Sequence, residues 1–132
     1  DPETQVVLPM MNSSLSDLID STINHKLKTF EYKNKSGSCV TVVLAADGYP
    51  GIYKKGYKIE GLNKLNENLV FHAGTSLDNE TNFITSGGRI LNVLGFGKNL
   101  NEAIKDVYKN VEKVNFKNKY FRKDIAKKGL NY

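Results

Sequence analysis

The chain has 132 residues, 39% of them hydrophobic, which is enough for one ordinary domain with a buried core. No apolar run approaches the roughly 20 residues that a membrane-spanning helix needs, so we expect no membrane anchor. The formal charge of +5 leaves a polyanionic partner open, whereas the single Cys39 excludes an intrachain disulfide and favours a reducing compartment, the cytoplasm.

The first residues are predicted to be the exit from a preceding domain. They contain neither an initiator Met nor the basic and apolar regions of a signal peptide, which suggests an excised piece of a longer chain. Pro2 and Pro9 interrupt an apolar stretch, so residues 1–11 are predicted to be extended, as the last strand of that domain, and not helical.

A helix and a buried strand follow. Ser14 and Asp17 fit a helix-capping pattern, and the apolar residues behind them recur at helical spacing, which predicts an amphipathic helix over residues 15–28. Residues 39–46 form a continuous apolar, β-branched run that ends in turn residues 47–51, which predicts a buried strand and then a turn. Short strands bounded by Gly, Asn and Asp are predicted at residues 57–59, 70–73, 82–85 and 89–94.

The closing helix has the clearest local pattern. Asn99 and Glu102 suit a capping box. The apolar residues behind them form one stripe, made of Leu100, Ala103, Ile104, Val107, Tyr108, Val111 and Val114. This helix is predicted to pack on the sheet. Because no helical crossovers separate the strands, we predict an α+β fold with a mostly antiparallel sheet flanked by helices.

Motifs for chemistry are weak when taken singly. Gly95-Phe96-Gly97 precedes a helix as a dinucleotide-binding loop does, but Leu100 occupies the third glycine position, so a strand-to-helix turn is the simpler interpretation. His25 and His72 have no Cys or His at ligand spacing and do not indicate a zinc site. We expect His72 to be a hydrogen-bonded structural histidine, with a titrating role as the alternative.

The segment from Lys113 to Lys128 is densely basic and contains Phe116, Tyr120 and Phe121. Such interleaving is typical of surfaces on which single-stranded nucleic acid stacks. The alternative, which we favour, is a solvated basic face whose aromatic rings turn into the core.

Four blocks in one order along the chain carry a family resemblance. They are Asp1-Pro2-Glu3-Thr4-Gln5; residues 42–51 with Tyr53 and Lys55-Gly56; residues 70–75 and Thr85 with Gly87-Gly88-Arg89-Ile90-Leu91; and Tyr120, Arg122, Asp124 and Ile125. Together they resemble phosphoribosylamine-glycine ligase (glycinamide ribonucleotide synthetase), an ATP-grasp enzyme of purine synthesis, over nearly the whole chain. The blocks Gly-Tyr-Pro-Gly and His-Ala-Gly-Thr are specific to that family. One departure lies at Ala126-Lys127-Lys128, where the family usually continues with Gly and then Arg.

The resemblance implies the C-terminal domain type of ATP-grasp ligases, with residues 1–13 as the tail end of the ATP-grasp core and residues 14–132 as the C-terminal α+β domain. In that family ATP phosphorylates the carboxylate of glycine, and the amine of 5-phosphoribosylamine attacks the acyl phosphate; magnesium (or manganese) is required. The family's metal ligands lie upstream of the block that starts at residue 1. We therefore expect catalytic residues, metal ligands, ATP and magnesium to belong to the missing N-terminal and ATP-grasp domains, and this chain to be inactive alone.

The resemblance also implies a few contact residues at the edge of a substrate pocket. Asp1 and Glu3 are candidates for orienting the substrate amine, and an acidic chain end is the alternative. Arg89 follows two glycines that permit close backbone approach, and it is the candidate for holding a phosphate or carboxylate through a forked contact. A structural salt bridge is the alternative for Arg89. At Tyr49-Pro50-Gly51 the geometry of a turn is enough to account for Pro and Gly. Contact with the substrate is the alternative.

Two other functions stay open. One is another ATP-grasp ligase, such as a carboxylase or a formate-dependent transformylase, whose C-terminal domain has related architecture. The other is an autonomous basic module that binds nucleic acid. In the leading prediction the intact enzyme binds glycine, 5-phosphoribosylamine and ATP. It binds neither nucleic acid nor a membrane.

Overall fold

The computed structural model describes residues 2–66 and 69–131. Its helices are α1 (Thr4–Met10), α2 (Leu15–Ile23) and α3 (Leu100–Lys113). Its strands are β1 (Ser38–Ala46), β2 (Val70–His72), β3 (Thr75–Leu77), β4 (Phe83–Thr85), β5 (Arg89–Gly97) and β6 (Lys119–Tyr120). Single turns of 3-10 helix occur at Leu27–Thr29, Leu62–Lys64 and Lys127–Asn131.

The strands form two antiparallel sheets. The larger has the order β2-β5-β1-β6, and β3 and β4 pair separately as a hairpin. The long central pair, β1 with β5, runs antiparallel from Ser38 opposite Gly97 to Ala45 opposite Arg89. The predicted α+β class with a mostly antiparallel sheet is therefore confirmed. Among the described residues no helix is both long and apolar enough to cross a bilayer.

The core lies between α3 and one face of the larger sheet. Alternate residues of β1 enter it, as the period of two along a strand requires. Asn99 begins α3 by accepting a hydrogen bond from the backbone N–H of Glu102 at 3.0 Å, as predicted for a capping box. The fully or almost fully buried apolar side chains that meet here are Val40, Val42, Leu44, Ile90, Leu91, Val93, Ala103, Val107, Val111 and Val114.

The glycines before α3 are strand residues, not the predicted turn. Gly95 and Gly97 lie in β5, and a Cβ atom on either would overlap the backbone of α3, at Val107 and Ala103 respectively. Glycine is needed because the helix axis approaches the strand closely, which is a packing requirement and not a phosphate cradle. The turn itself falls on residues 98–99.

The prediction that residues 1–11 are extended is wrong, because Thr4–Met10 is helical. Pro2 precedes the helix and costs it no hydrogen bond, whereas Pro9 lies inside it and removes the one bond that its own N–H would have donated to the carbonyl of Gln5. The chain then turns extended at Met11, which forms an isolated antiparallel bridge with Asn34. Helix α1 packs beside β1 and β5 of the larger sheet.

Helix α2 is shorter than predicted. Ser14 caps it by accepting from the backbone N–H of Asp17 at 3.3 Å, but it ends at Ile23, where His25 adopts a positive φ of 56°. The backbone N–H of Lys26 closes the end on the carbonyl of Ser21 at 2.7 Å. The apolar stripe predicted for this helix exists but is open to solvent, with exposed fractions of 44%, 52% and 70% at Leu15, Ile19 and Ile23.

The short strands are partly as predicted. Strands β2, β4 and β5 cover three of the predicted segments, and β5 continues three residues further, to Gly97. Residues 57–59 do not form a strand, although Lys58 bridges to Ile84 and the backbone N–H of Ile59 donates to the carbonyl of Phe83 at 2.8 Å. Gly56 and Gly61 on either side have φ of 81° and 83°, outside the range of a strand, so this pairing with β4 stays short. Strands β3 and β6, of three and two residues, were not predicted.

Candidate functional site

A groove lies on the face of the larger sheet that points away from α3. Its floor is made by Thr41, Val43 and Ala45, which alternate with the core residues of β1. The groove encloses about 290 Å³. Its walls come from four separate parts of the chain and consist of Pro2, Tyr49, Arg89, Tyr120, Phe121, Arg122 and Ile125.

A β-bulge aims Arg89 into this groove. Leu44 pairs with Leu91, but the next residue, Ala45, pairs with Arg89, so Ile90 is an extra residue in β5. Both Ile90 and Leu91 are 0% exposed and lie in the core. Without the bulge Arg89 would share the face of Leu91. With it, the arginine lies on the groove face beside Ala45.

Two glycines shape the wall next to Arg89. A Cβ atom on Gly88 would overlap the ring of Tyr49, so the ring lies directly against the glycine backbone. The guanidinium of Arg89 stands 6.0 Å from the centroid of the same ring, at cation–π distance. The Tyr49 ring also meets Tyr53 edge-on at 6.0 Å. The turn at residues 48–51 therefore helps to fix the direction of the arginine.

The His-Ala-Gly-Thr block is joined to the same wall through its glycine. The backbone N–H of Gly74 donates to the carbonyl of Arg89 at 2.8 Å, and the carbonyl of Gly74 accepts from the backbone N–H of Ser86 at 2.7 Å. A Cβ atom on Gly74 would overlap the backbone of Arg89 and Gly87. This close approach accounts for glycine at position 74.

Arg122 enters the groove from the C-terminal segment. It forms a forked pair with Asp124, in which Nε donates to Oδ1 at 2.9 Å and Nη2 donates to Oδ2 at 2.7 Å. These hydrogen bonds, together with the opposite charge, raise the pKa of Arg122 and lower the pKa of Asp124 from their ordinary values. The arginine is therefore held as a cation beside an ionised carboxylate.

The predicted contact residues have different positions. Arg89 lines the groove, whereas the exposed Glu3 is the residue before α1 and is not part of the lining, although the adjacent Pro2 is. Asp1 lies outside the described residues. Tyr49 lines the groove, while Pro50 and Gly51 do not, so the turn block contributes its tyrosine.

Sequence reasoning did not select Tyr120 or Arg122 as site residues, although both line the groove. Their block contributed to the family resemblance, which was the available signal. Nothing local in the sequence shows that this C-terminal segment crosses to the side of β1 that faces away from α3.

The remaining candidate motifs have structural roles. His72 Nδ1 lies 3.0 Å from the hydroxyl oxygen of Thr75, and its ring stacks at 4.5 Å on Phe83, as expected for a structural histidine. His72 is exposed as a whole residue, and partial burial of its ring lowers its pKa. In the basic tail Phe116 is only 4% exposed, and Lys119 Nζ donates to the carbonyl of Val114 at the end of α3. The predicted alternative, in which the aromatic rings turn into the core, holds for Phe116, whereas Tyr120 is exposed and Phe121 is partly buried against the core.

Within residues 2–66 and 69–131, no group of three or more His, Cys, Asp or Glu side chains is placed to hold a metal ion. The described residues therefore do not fit the magnesium that the resemblance implies. The groove offers guanidinium and phenol groups, which suit an anion and not a cation.

Comparisons with known proteins agree on one family. The family model described as "Phosphoribosylglycinamide synthetase, C domain" matches residues 39–128. The chain is 45% identical to the phosphoribosylamine-glycine ligase of Fusobacterium nucleatum, over 96% of this chain and 30% of that protein. It is 42% identical to the bifunctional purine biosynthetic protein purD of Dictyostelium discoideum, over 100% of this chain and 17% of that protein.

A solved structure is similar as well. It is the phosphoribosylamine-glycine ligase of Thermotoga maritima, with a TM-score of 0.73 and 32% identity over 96% of this chain and 31% of that one. The chain thus spans less than a third of the length of these proteins.

Proposed function

Because this chain belongs to the family of phosphoribosylglycinamide synthetase C domains, we propose that its groove is one wall of the substrate site of a ligase. The ligase joins glycine to 5-phosphoribosylamine with ATP, through an acyl phosphate of glycine, in purine biosynthesis. The observation that carries this proposal is the convergence of the groove's walls. Residues from all four blocks of the family resemblance, Pro2, Tyr49, Arg89 and Arg122 among them, meet in one place.

The chemistry of the groove suits the phosphorylated substrate. A guanidinium presents planar N–H donors that match phosphate oxygens, and charge-assisted hydrogen bonds of this kind are about twice as strong as neutral ones. Arg89 would bind the phosphate of 5-phosphoribosylamine, with Tyr49 fixing the direction of the guanidinium. The apolar floor would displace water from the bound substrate, which protects an acyl phosphate from hydrolysis.

ATP and magnesium are assigned to other parts of a longer ligase chain. ATP supplies the phosphoryl group that activates the glycine carboxylate when it is bound. In this proposal the metal is held by those other parts, and this chain contributes substrate contacts and water exclusion. We propose that residues 1–13 are the tail end of the ATP-grasp core and that Asp1 and Glu3 lie at the rim of the glycine site. We also propose that the ligase is located in the cytoplasm, as predicted from the sequence.

The exposed stripe on α2 supports a role as a domain of a larger enzyme. Leu15, Ile19 and Ile23 expose large apolar side chains along one side of the helix. Contiguous exposed apolar surface of this kind commonly packs against another domain or partner. We propose that the stripe packs against another part of the ligase, so that the domain supports the active site from one side.

Titration calorimetry with ribose 5-phosphate tests the groove. This sugar phosphate carries the phosphate and ribose of 5-phosphoribosylamine without its amine. We expect saturable binding that weakens about tenfold or more in Arg89→Gln, the loss of a charged hydrogen-bonding partner. The matched control is Lys98→Gln, which removes one positive charge just beyond the far end of β5, outside the groove lining. Equal losses in the two variants would contradict a specific site.

An assay of ADP release tests whether ATP and magnesium are bound by parts of the ligase outside this chain. With glycine, 5-phosphoribosylamine, ATP and magnesium, we expect no turnover by this chain alone. Turnover would contradict the assignment of the nucleotide and metal to other parts of a longer chain.

The comparisons favour this family over a carboxylase or a formate-dependent transformylase. The nucleic-acid alternative is weakened, because Phe116 is buried and Lys119 donates to a carbonyl at the end of α3, which leaves Tyr120 as the one exposed ring of the three in the tail.

A further inference from the structure

We propose that Arg122 is a second anion-binding residue of the groove, oriented by Asp124 and Tyr108 to bind a phosphomonoester together with Arg89. The inference rests on the proposed function and extends it to a residue that the sequence did not select. Its basis is the geometry of the arginine, of the carboxylate beside it and of the tyrosine that holds its backbone.

The carboxylate leaves one edge of the guanidinium available. A guanidinium has five N–H donors in a plane. Asp124 accepts from Nε and from Nη2, which form one edge of that plane. Among the described residues the structure gives this guanidinium no other hydrogen-bond acceptor, and Arg122 lines the groove. The remaining donors, on Nη1 and Nη2, are available to an anion that enters the groove.

A tyrosine from α3 holds the backbone of the same segment. The hydroxyl of Tyr108 donates to the carbonyl of Arg122 at 2.9 Å and accepts from the backbone N–H of Ile125 at 3.1 Å. Its ring also lies 6.3 Å from that of Phe121. One side chain on a long helix therefore fixes both ends of the segment 122–125, and with it the starting point of the arginine side chain.

A purely stabilising ion pair accounts less well for this arrangement. The side chains of Arg122 and Asp124 are 62% and 58% exposed, and exposed pairs of this kind contribute little to stability. A forked carboxylate does, however, fix the orientation of a guanidinium. A phosphomonoester has three terminal oxygens and up to two negative charges, so it can engage two guanidiniums at once, which a single carboxylate does less well.

The direction in which one substitution changes the affinity for an anion distinguishes an orienting role of Asp124 from a purely electrostatic one. Asp124→Asn removes a negative charge next to the groove, so electrostatics alone predicts tighter binding of an anion. If Asp124 instead orients Arg122, the same substitution weakens binding.

The experiment measures the Kd of ribose 5-phosphate for the 132-residue chain by calorimetry, at about 0.15 M salt so that distant charges are screened. We expect Arg122→Gln to weaken binding about tenfold or more. Asp124→Asn and Tyr108→Phe are expected to weaken it about threefold each, and ribose without phosphate is expected not to compete. Lys123→Gln is the matched control, because it removes the adjacent positive charge from a residue outside the groove lining, and it is expected to change the Kd less than twofold. Circular dichroism of each variant reports whether the fold is retained.

The outcomes separate the two proposals. Binding that depends on Arg89 but is unchanged in a folded Arg122→Gln variant would overturn the inference and leave the proposed function standing. Tighter binding by Asp124→Asn would overturn the orienting role of the carboxylate. No saturable binding by the unmodified chain would overturn the proposed phosphate site itself, and the inference with it.

Discussion

The contact between Gly88 and Tyr49 gives the sharpest prediction about the groove wall. In Gly88→Ala the new methyl group would overlap two carbon atoms of the Tyr49 ring, so the ring must move away from the backbone. Moving a packed group in this way costs about 1–3 kcal/mol. The φ of Gly88 is not in the left-handed region, so alanine fits the backbone and regains about 0.4–1 kcal/mol by restricting the unfolded chain. We expect a net loss of about 1–2 kcal/mol.

The result should reverse when the ring is absent. In a Tyr49→Ala background nothing of the tyrosine ring remains to obstruct the methyl group, so Gly88→Ala is expected to be neutral or to stabilise by up to about 1 kcal/mol. Urea denaturation followed by circular dichroism of the four proteins gives the coupling free energy between the two positions. We expect it to be about 1–3 kcal/mol. A coupling below about 0.3 kcal/mol, the range for independent sites, would refute the stated cause of glycine at this position.

Three further outcomes are expected. Gly95→Ala should cost about 3 kcal/mol in urea denaturation, more than Gly88→Ala, because its methyl group meets the backbone of α3 at Val107 instead of a movable ring; an equal cost at the two positions would contradict this. Partial burial raises the pKa of Cys39 from 9.0 to about 11. At about pH 8 the thiol should therefore react with a disulfide reagent about 100-fold more slowly in the folded chain than in the unfolded chain, and equal rates would contradict this burial of the thiol. Because partial burial lowers the pKa of His72, the unfolded state takes up the proton before the folded state as the pH falls below 6.5, and the Tm should fall in that range. The Tm of His72→Gln should fall less, and parallel profiles of Tm against pH in the two proteins would contradict this reasoning.

Elements whose local pattern agrees with their tertiary surroundings could be predicted from the sequence. The capping residues Asn99 and Glu102 and the apolar stripe behind them placed α3 correctly, because the stripe is buried against the sheet. The run at residues 39–46 placed β1 for the same reason. Its continuous apolarity concealed the alternation between core and groove, because both faces of the strand are covered.

Elements whose form depends on distant contacts could not be predicted from the sequence. Prolines at positions 2 and 9 indicated an extended segment, but Pro2 stands before α1, and Pro9, next to its last residue, removes only one of its hydrogen bonds. Strand β6 has two residues, Lys119 and Tyr120, and exists because Ala45 and Ala46 pair with it. Two residues are too few for any period to show.

The candidate site was predictable in its parts and not in its assembly. Arg89 was selected from its glycines and the family resemblance, but its direction depends on the bulge at Ile90, which no local pattern indicates. Arg122 belongs to a block that contributed to the resemblance, yet its place in the groove depends on the contact of Tyr108 with its backbone. Convergence of separate segments is a property of the tertiary fold.

The central claim is that the face of the sheet opposite α3 carries the phosphate-binding wall. A titration of the isotopically labelled chain with ribose 5-phosphate, followed by NMR of backbone amides and arginine Nε–H groups, tests it most directly. We expect saturable shifts confined to residues around the groove, including the Nε–H signals of Arg89 and Arg122. Shifts that instead gather on the exposed lysines of α3, or that never saturate, would contradict the account.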